Sequence, residues 1–296
     1  MRLVSYRRGP EGDGSWRAGV ARGELVVDAA QAAAAAGLDT TRDWSSMRAL
    51  IAAPAAERAA LADAAASADG MPREQLELGP PVPDPDKILC IGLNYRDHAA
   101  EANLPLPEVP MLFAKFRNSL VGPSADVALP ADSKAVDYEA ELAVVIGTRA
   151  KGVEAERALE HVAGAMAFND LTARDVQHQT SQWTAGKAVD DFGPCGPELV
   201  TLDELGDPHA LRIGTRVNGK TVQDGTTADM IFSIADTIAF VSRLMTLEPG
   251  DIICTGTPAG VGFKRDPQVL LADGDVVEVE VEGIGVLRNR MVGGTA

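Results

Sequence analysis

Three carboxylates at alternate positions, Asp137, Glu139 and Glu141, stand in the run Asp-Tyr-Glu-Ala-Glu-Leu-Ala-Val-Val-Ile-Gly over residues 137–147. Successive side chains of a strand point to opposite faces, so the three acids share one face while Tyr138, Ala140, Leu142, Val144 and Ile146 share the other. Two unit charges about 4 Å apart interact by roughly 4 kcal/mol at an intermediate effective dielectric, so acids gathered in a partly enclosed place repel one another strongly. A cation would remove that repulsion. An acidic solvent face is the competing reading, and the chain carries its own control in Glu278, Glu280 and Glu282, which alternate just as regularly. The two triplets differ in how their strands continue. Beyond Glu141 the acid-bearing face runs into Ala143 and Val145, so that strand is apolar on both sides, as a strand buried on both faces is. The second triplet lies between turn signals at 272–275 and 283–285, which suits a hairpin with one wet face.

Other residues carry weaker signals on their own. His98 and Glu101 are three apart in Arg96-Asp97-His98-Ala99-Ala100-Glu101-Ala102, a helical turn that closes before Pro105, so they can meet. A carboxylate beside an imidazole orients its tautomer, as a general base requires, although an ordinary exposed helical pair has the same spacing. Asp170 falls between the apolar run 162–168 and a helix expected to begin at Thr172 and to carry Arg174, Asp175 and Gln177; it faces a site or caps a turn. Lys187 alone reads as a surface lysine. The glycine-rich stretch Thr255-Gly256-Thr257-Pro258-Ala259-Gly260-Val261-Gly262 lets backbone N–H groups approach an anion, but no Lys-Ser/Thr pair comes after it, so it is not a Walker A loop.

These residues need elements to hold them. Short apolar runs and glycine turns over 1–30 read as a small meander; alanine-rich stretches at 29–36 and 44–66 read as helices, the second opening at Asp43 and interrupted at Pro54. Four prolines in 79–86 deny donors to any sheet or helix and mark the best boundary in the chain, giving a small N-terminal accessory domain (1–78), a linker (79–86) and a larger domain (87–296). Residues 87–91, 111–121, 137–147, 162–168 and 251–254 read as strands. Ile231, Ile234, Ile238, Val241 and Met245 form the apolar stripe of a helix, and a hairpin over about 270–292 completes the sheet.

Composition excludes several classes. A net charge of −16 over 296 residues leaves no basic stripe for nucleic acid. Three cysteines, far apart and outside any Cys-x-x-Cys spacing, argue against a disulfide framework or thiolate metal site and fit a reducing cytoplasm. The charged N-terminal segment and the lack of any long apolar run read as a soluble, unexported chain with no membrane partner.

Taken together, the stretches at 92–101, 137–143, 168–175, 186–187 and 255–262 resemble the fumarylacetoacetate hydrolase superfamily. Five ordered motifs over about 170 residues are far more specific than any one of them. The resemblance implies an α+β fold with a mixed β-roll core and a small N-terminal α+β domain, usually paired as a homodimer. It makes Glu139, Glu141 and Asp170 the metal ligands, His98 and Glu101 a catalytic dyad on a mobile lid, and Gln177, Lys187 and Thr257 the groups that meet the substrate, Lys187 also adding charge at the reacting oxygen. Asp137 is then structural or outside the ligand set.

An all-carboxylate set suits a hard cation, Mg²⁺ or Mn²⁺, and a small anionic 2-oxo acid as substrate. The reading ranked first is hydrolysis of a C–C bond in an acylpyruvate-like β-diketo acid through a metal-bound enolate, with His98 and Glu101 activating water. Decarboxylation of oxaloacetate, isomerisation of an oxo-diacid and ureidoglycolate lyase chemistry use the same metal site, and family likeness does not choose among them. From another class, the chain is a metal and oxo-acid binding protein without turnover.

Overall fold

A computed structural model describes residues 1–9 and 14–293. Its centre is the strand Ala140–Ile146, every residue of which is buried. Leu142, Val144 and Ile146 share a core with Ile213, Val279 and Leu287 of a second sheet and with Ile234, Ile238 and Val241 of a helix. Ala143 and Val145 share a different core with Leu50, Ile51 and Leu61 of the N-terminal helices. The strand is therefore sandwiched, which is why its sequence is apolar on both sides.

The fold is α+β with a mixed β core. The main sheet runs in the order Met71–Pro72, Leu25–Asp28, Arg17–Arg22, Arg2–Arg8, Gly193–Thr201, Val162–Asn169, Ala140–Ile146, Ile252–Cys254, Ile88–Gly92 and Met111–Lys115. Ile252–Cys254 is parallel to Ile88–Gly92 and antiparallel to Ala140–Ile146. The second sheet has five strands, Lys220–Thr226, Arg212–Val217, Val276–Val281, Gly285–Gly293 and Asp126–Leu129. The terminal hairpin thus belongs to this second sheet, where Glu278 and Glu280 both pair with Arg216 on its polar face.

The N-terminal meander forms as expected and is continuous with the main sheet, Arg2 lying opposite Val200. The proline-rich stretch is packed: Pro80, Pro81 and Val82 are buried, and Ser5 Oγ donates to the Pro81 carbonyl at 2.8 Å. Several boundaries differ from the sequence reading. Asp43 does not cap a helix; it accepts the Ser45 N–H and hydroxyl in an Asx turn, and Ser46 caps Met47–Ile51 instead. The apolar stripe begins at Ile234, because Ser233 and Asp236 form a reciprocal cap there and Ile231 N–H is spent on the Asn94 carbonyl at 2.7 Å. The run 111–121 breaks after Lys115 into a turn. Residues 137–147 are not one strand: Val136–Asp137 pairs with Thr172–Ala173 in a separate ribbon, and the main strand starts only at Ala140. The helix expected from Thr172 is a single turn, Arg174–Gln177.

One polar cluster anchors the meander. Asp28 accepts the Gln31 N–H at 2.9 Å as a helix cap, the Tyr6 hydroxyl at 2.5 Å and Arg17 Nε at 2.9 Å. Burial pushes its carboxyl up, but the bonds from Tyr6, Gln31 and Arg17 outweigh that and hold it below the ordinary 3.8. A depressed carboxyl contributes stability that is present above the unfolded value and is lost as pH falls through the folded one. Asp28→Ala is therefore expected to cost about 2–4 kcal/mol near neutral pH, and the gap between wild type and variant should narrow as pH falls through the depressed carboxyl. Urea denaturation across pH checks this, and a constant gap down to pH 2 would contradict it.

Candidate active site

The acids converge because two antiparallel neighbours end together. Ala140 lies opposite Asn169, so Glu139 and Asp170 flank that pair and Glu141 is one step inside. Asp170 N–H donates to the Glu139 carbonyl at 2.9 Å, and Glu139 N–H donates to Asn169 Oδ1 at 3.1 Å, which locks the corner. Glu139, Glu141 and Asp170 are all buried, and each offers an oxygen within 4.8 Å of the others'. Asp137 points elsewhere. The break at 138–139 turns it toward the glycine-rich loop, where it accepts the N–H groups of Gly262 at 2.7 Å and Phe263 at 3.2 Å and Arg174 Nε at 2.9 Å. A Cβ at Gly262 would lie 2.6 Å from the Asp137 carboxylate and 1.9 Å from the Val269 carbonyl, so this approach requires glycine.

Three buried cations meet these acids. Lys187 Nζ lies 2.7 Å from both Glu139 Oε2 and Asp170 Oδ2. Arg174 Nη2 donates to Glu139 Oε1 at 2.5 Å, and its Nη1 donates to Gln177 Oε1 at 3.1 Å. Lys115 Nζ donates to Asp170 Oδ1 at 2.5 Å and to the carbonyls of Leu171 and Lys187. Sequence reasoning placed Lys187 here but missed Arg174 and Lys115. The available signal for Lys115 was a lysine inside the apolar run Met-Leu-Phe-Ala-Lys-Phe; for Arg174 it was only its position after Asp170.

Charge in the cluster is unevenly compensated. Burial would raise Glu139, yet Lys187 and Arg174 hold it down to about 2. Burial would lower Lys187, but Asp170 and Glu139 keep its ammonium well above the usual lysine range. Glu141 accepts the Gly256 N–H at 2.9 Å and makes no ion pair among the described residues. Burial, and then the charges of Asp170 and Glu139, push its carboxyl well up. Three converging hard oxygen donors, one of them with no counter-ion, fit a divalent cation such as Mg²⁺ or Mn²⁺.

His98, Gln177 and Thr257 border the same cavity, of about 180 Å³, whose floor is Glu139, Glu141, Arg174 and Lys187, while Glu101 stands behind His98 and does not line it. His98 Nδ1 is 3.1 Å from Glu101 Oε2, on the helix Arg96–Glu101, and Gly260 N–H donates to Glu101 Oε1 at 2.9 Å. Burial pushes Glu101 up, but the bonds from His98 and Gly260 prevail and keep it below the usual range. Gln223 supports Thr257: its amide donates to Thr257 Oγ1 at 2.9 Å while its carbonyl oxygen accepts the Ala140 N–H at 2.9 Å. The loop is thereby tied to the acid-bearing strand.

The sequence pattern of the fumarylacetoacetate (FAA) hydrolase C-terminal family matches residues 87–292. The chain belongs to the fumarylacetoacetate hydrolase family. Among relatives within it, the human mitochondrial oxaloacetate tautomerase FAHD2A is 49% identical over 224 residues, covering 75% of this chain and 71% of that protein. The fumarylacetoacetate hydrolase of the psychrophile Exiguobacterium antarcticum superposes with a TM-score of 0.82 at 35% identity, covering 99% of both chains. A maleylpyruvate hydrolase from Sphingobium sp. SYK-6, solved with manganese(II) and pyruvate, superposes with a TM-score of 0.80 at 31% identity over the whole of both chains. Proteins similar to this chain thus include ones named for tautomerisation and for hydrolysis, one of them solved with a divalent metal and a 2-oxo acid.

Proposed function

We propose that the protein is a divalent-metal-dependent enzyme that interconverts the keto and enol forms of a short 2-oxo acid, with oxaloacetate as the representative substrate. The observation that carries this reading is that His98, paired with Glu101, borders the same small cavity as Glu139 and Glu141. Glu101 is held ionised, so it only accepts, and His98 Nδ1 must be the donor. With Nδ1 as the donor, Nε2 is the ring nitrogen turned to base chemistry. A volume of about 180 Å³ lies below the range of ordinary drug-sized sites and suits a substrate of few atoms. Close identity to a protein named as an oxaloacetate tautomerase moves this reading above the C–C hydrolysis ranked first from sequence.

A divalent cation seated among Glu139, Glu141 and Asp170 would supply Lewis-acid polarisation of the 2-oxo group. Lys187 and Arg174 add fixed positive charge beside the oxygen that becomes negative. Gln177 and Thr257 orient the carboxylate. His98 Nε2 takes a proton from C3, the electron pair of that C–H bond becomes the C2=C3 π bond, the oxo oxygen acquires a proton from water, and His98 gives its proton to the hydroxide so left, restoring both. In the reverse direction His98 returns the proton to C3.

Hydrolysis of an acylpyruvate is the second reading, favoured by the likeness to maleylpyruvate hydrolase, since the same Nε2 would take a proton from an attacking water. Ultraviolet assays of enol loss, with protein loaded with Mg²⁺ or Mn²⁺, separate the two. The expected result is rapid oxaloacetate tautomerisation that EDTA abolishes, with acylpyruvates uncleaved. Cleavage of an acylpyruvate without tautomerisation would put hydrolysis first, and metal-dependent oxalate binding with no turnover would leave only a binding protein.

A further inference from the structure

The cavity has two unlike sides above its acidic floor. One is apolar: Trp183 lies against Gly92, where a Cβ would come within 2.4 Å of the indole, and meets Phe113 edge-on with ring centroids 5.5 Å apart. The other side carries His178, Phe263 and Lys264. The His178 and Phe263 rings pack at a tilt with centroids 5.3 Å apart, and Lys264, the next residue along, lines the same cavity. His178 and Lys264 are exposed at the rim.

What distinguishes these two is that, among the described residues, neither side chain is held by a polar partner. Arg174 and Lys187 are committed to Asp137, Glu139 and Asp170, and His98 is committed to Glu101. The side chains of His178 and Lys264 make no ion pair or hydrogen bond among the described residues. The acids that line the cavity are Glu139 and Glu141, both on its floor. In a chain of net charge −16, an uncommitted ammonium and an imidazole that both line the exposed rim of the cavity offer an anion a local positive field and a hydrogen-bond donor.

We propose that His178 and Lys264 form a second anionic subsite that holds the distal carboxylate of an oxo-diacid, making the enzyme selective for dicarboxylates over 2-oxo monoacids. This rests on the tautomerase reading for the head of the substrate, which is placed at the floor. The wall of Phe113 and Trp183 supplies no charge to pair with a second carboxylate, whereas the opposite side carries Lys264 and His178. A site built to pair a charged group discriminates against the analogue that lacks it.

The test compares oxaloacetate with phenylpyruvate, an enolisable monoacid, in tautomerisation by the Mg²⁺-loaded enzyme. Lys264→Met and His178→Gln should each raise KM for oxaloacetate about tenfold relative to KM for phenylpyruvate, with kcat on oxaloacetate within about twofold, and the double variant should lose about 30- to 100-fold in that ratio. Both residues are exposed, so folding is preserved. Calorimetric binding of 2-oxoglutarate against pyruvate by the same Mg²⁺-loaded proteins reads the subsite without turnover. A wild type that converts neither substrate sinks the tautomerase reading, while the calorimetric ratio still decides the subsite. An unchanged diacid-to-monoacid ratio in the variants overturns the proposal.

Discussion

Glu141→Gln should abolish metal-dependent turnover, with a fall in kcat/KM of about a thousandfold or more, while leaving the metal-free fold as stable as wild type or more so. The two halves of that result have one origin. Glu141 is buried beside Glu139 and Asp170 and has no counter-ion among the described residues. Each like-charge neighbour at about 4 Å costs several kcal/mol at an intermediate dielectric, so neutralising it relieves repulsion that a bound cation would otherwise relieve. A gain of about 1–3 kcal/mol in the apo protein is expected. Glu139→Gln should also abolish turnover, but it strips a carboxylate from Arg174 and Lys187 and should cost about 3–5 kcal/mol. Glu280→Gln, on the wet face of the second sheet, should change neither activity nor stability measurably. Melting curves with and without Mn²⁺, beside initial rates, check all three. Equal losses of activity at Glu141 and Glu280 would end the case for the acid cluster as the metal centre.

Lys187→Met should lower turnover by about a thousandfold and yet tighten divalent-metal binding. The ammonium sits 2.7 Å from an oxygen of Glu139 and from one of Asp170, so it already occupies part of the space between the acids that a cation would share. Removing it leaves two buried carboxylates short of a partner and destabilises the apo protein by about 3–5 kcal/mol. Whatever binds only the folded state recovers that stability. Metal affinity should therefore rise about tenfold or more, and the melting shift on adding Mn²⁺ should exceed that of wild type. Calorimetry with Mn²⁺ alone reads this without substrate. Weaker binding in the variant would show that Lys187 positions the acids and does not compete for them.

Much of the site was readable because it is built on a local pattern. Ala143 and Val145 opposite Leu142 and Val144 announced a strand covered on both faces, and the alternation marked Glu139 and Glu141. The likeness of five motifs brought in Asp170. Alternation also misled, since it runs unbroken through Tyr138 and Glu139 while the backbone does not. Asp137 shares the spacing of the ligands but is spent on Gly262, Phe263 and Arg174. Such a break depends on which partner each segment finds, and Asp137 pairs with Thr172 while Ala140 pairs with Asn169. Lys115 was hidden for a related reason. A lysine among apolar neighbours has no spacing to betray it, and its partners lie 55 or more residues away.

The sandwiching of Ala140–Ile146 bears on how far the chain can be cut down. Leu50, Ile51 and Leu61 supply the lid of hydrocarbon over Ala143 and Val145, and Arg2–Arg8 prolongs the sheet past Gly193–Thr201. A fragment beginning at residue 87 would bare that underside to water just where the acids are mounted. The amino-terminal third is thus part of the foundation of the site, and a minimal engineered version must keep it or replace its apolar cover.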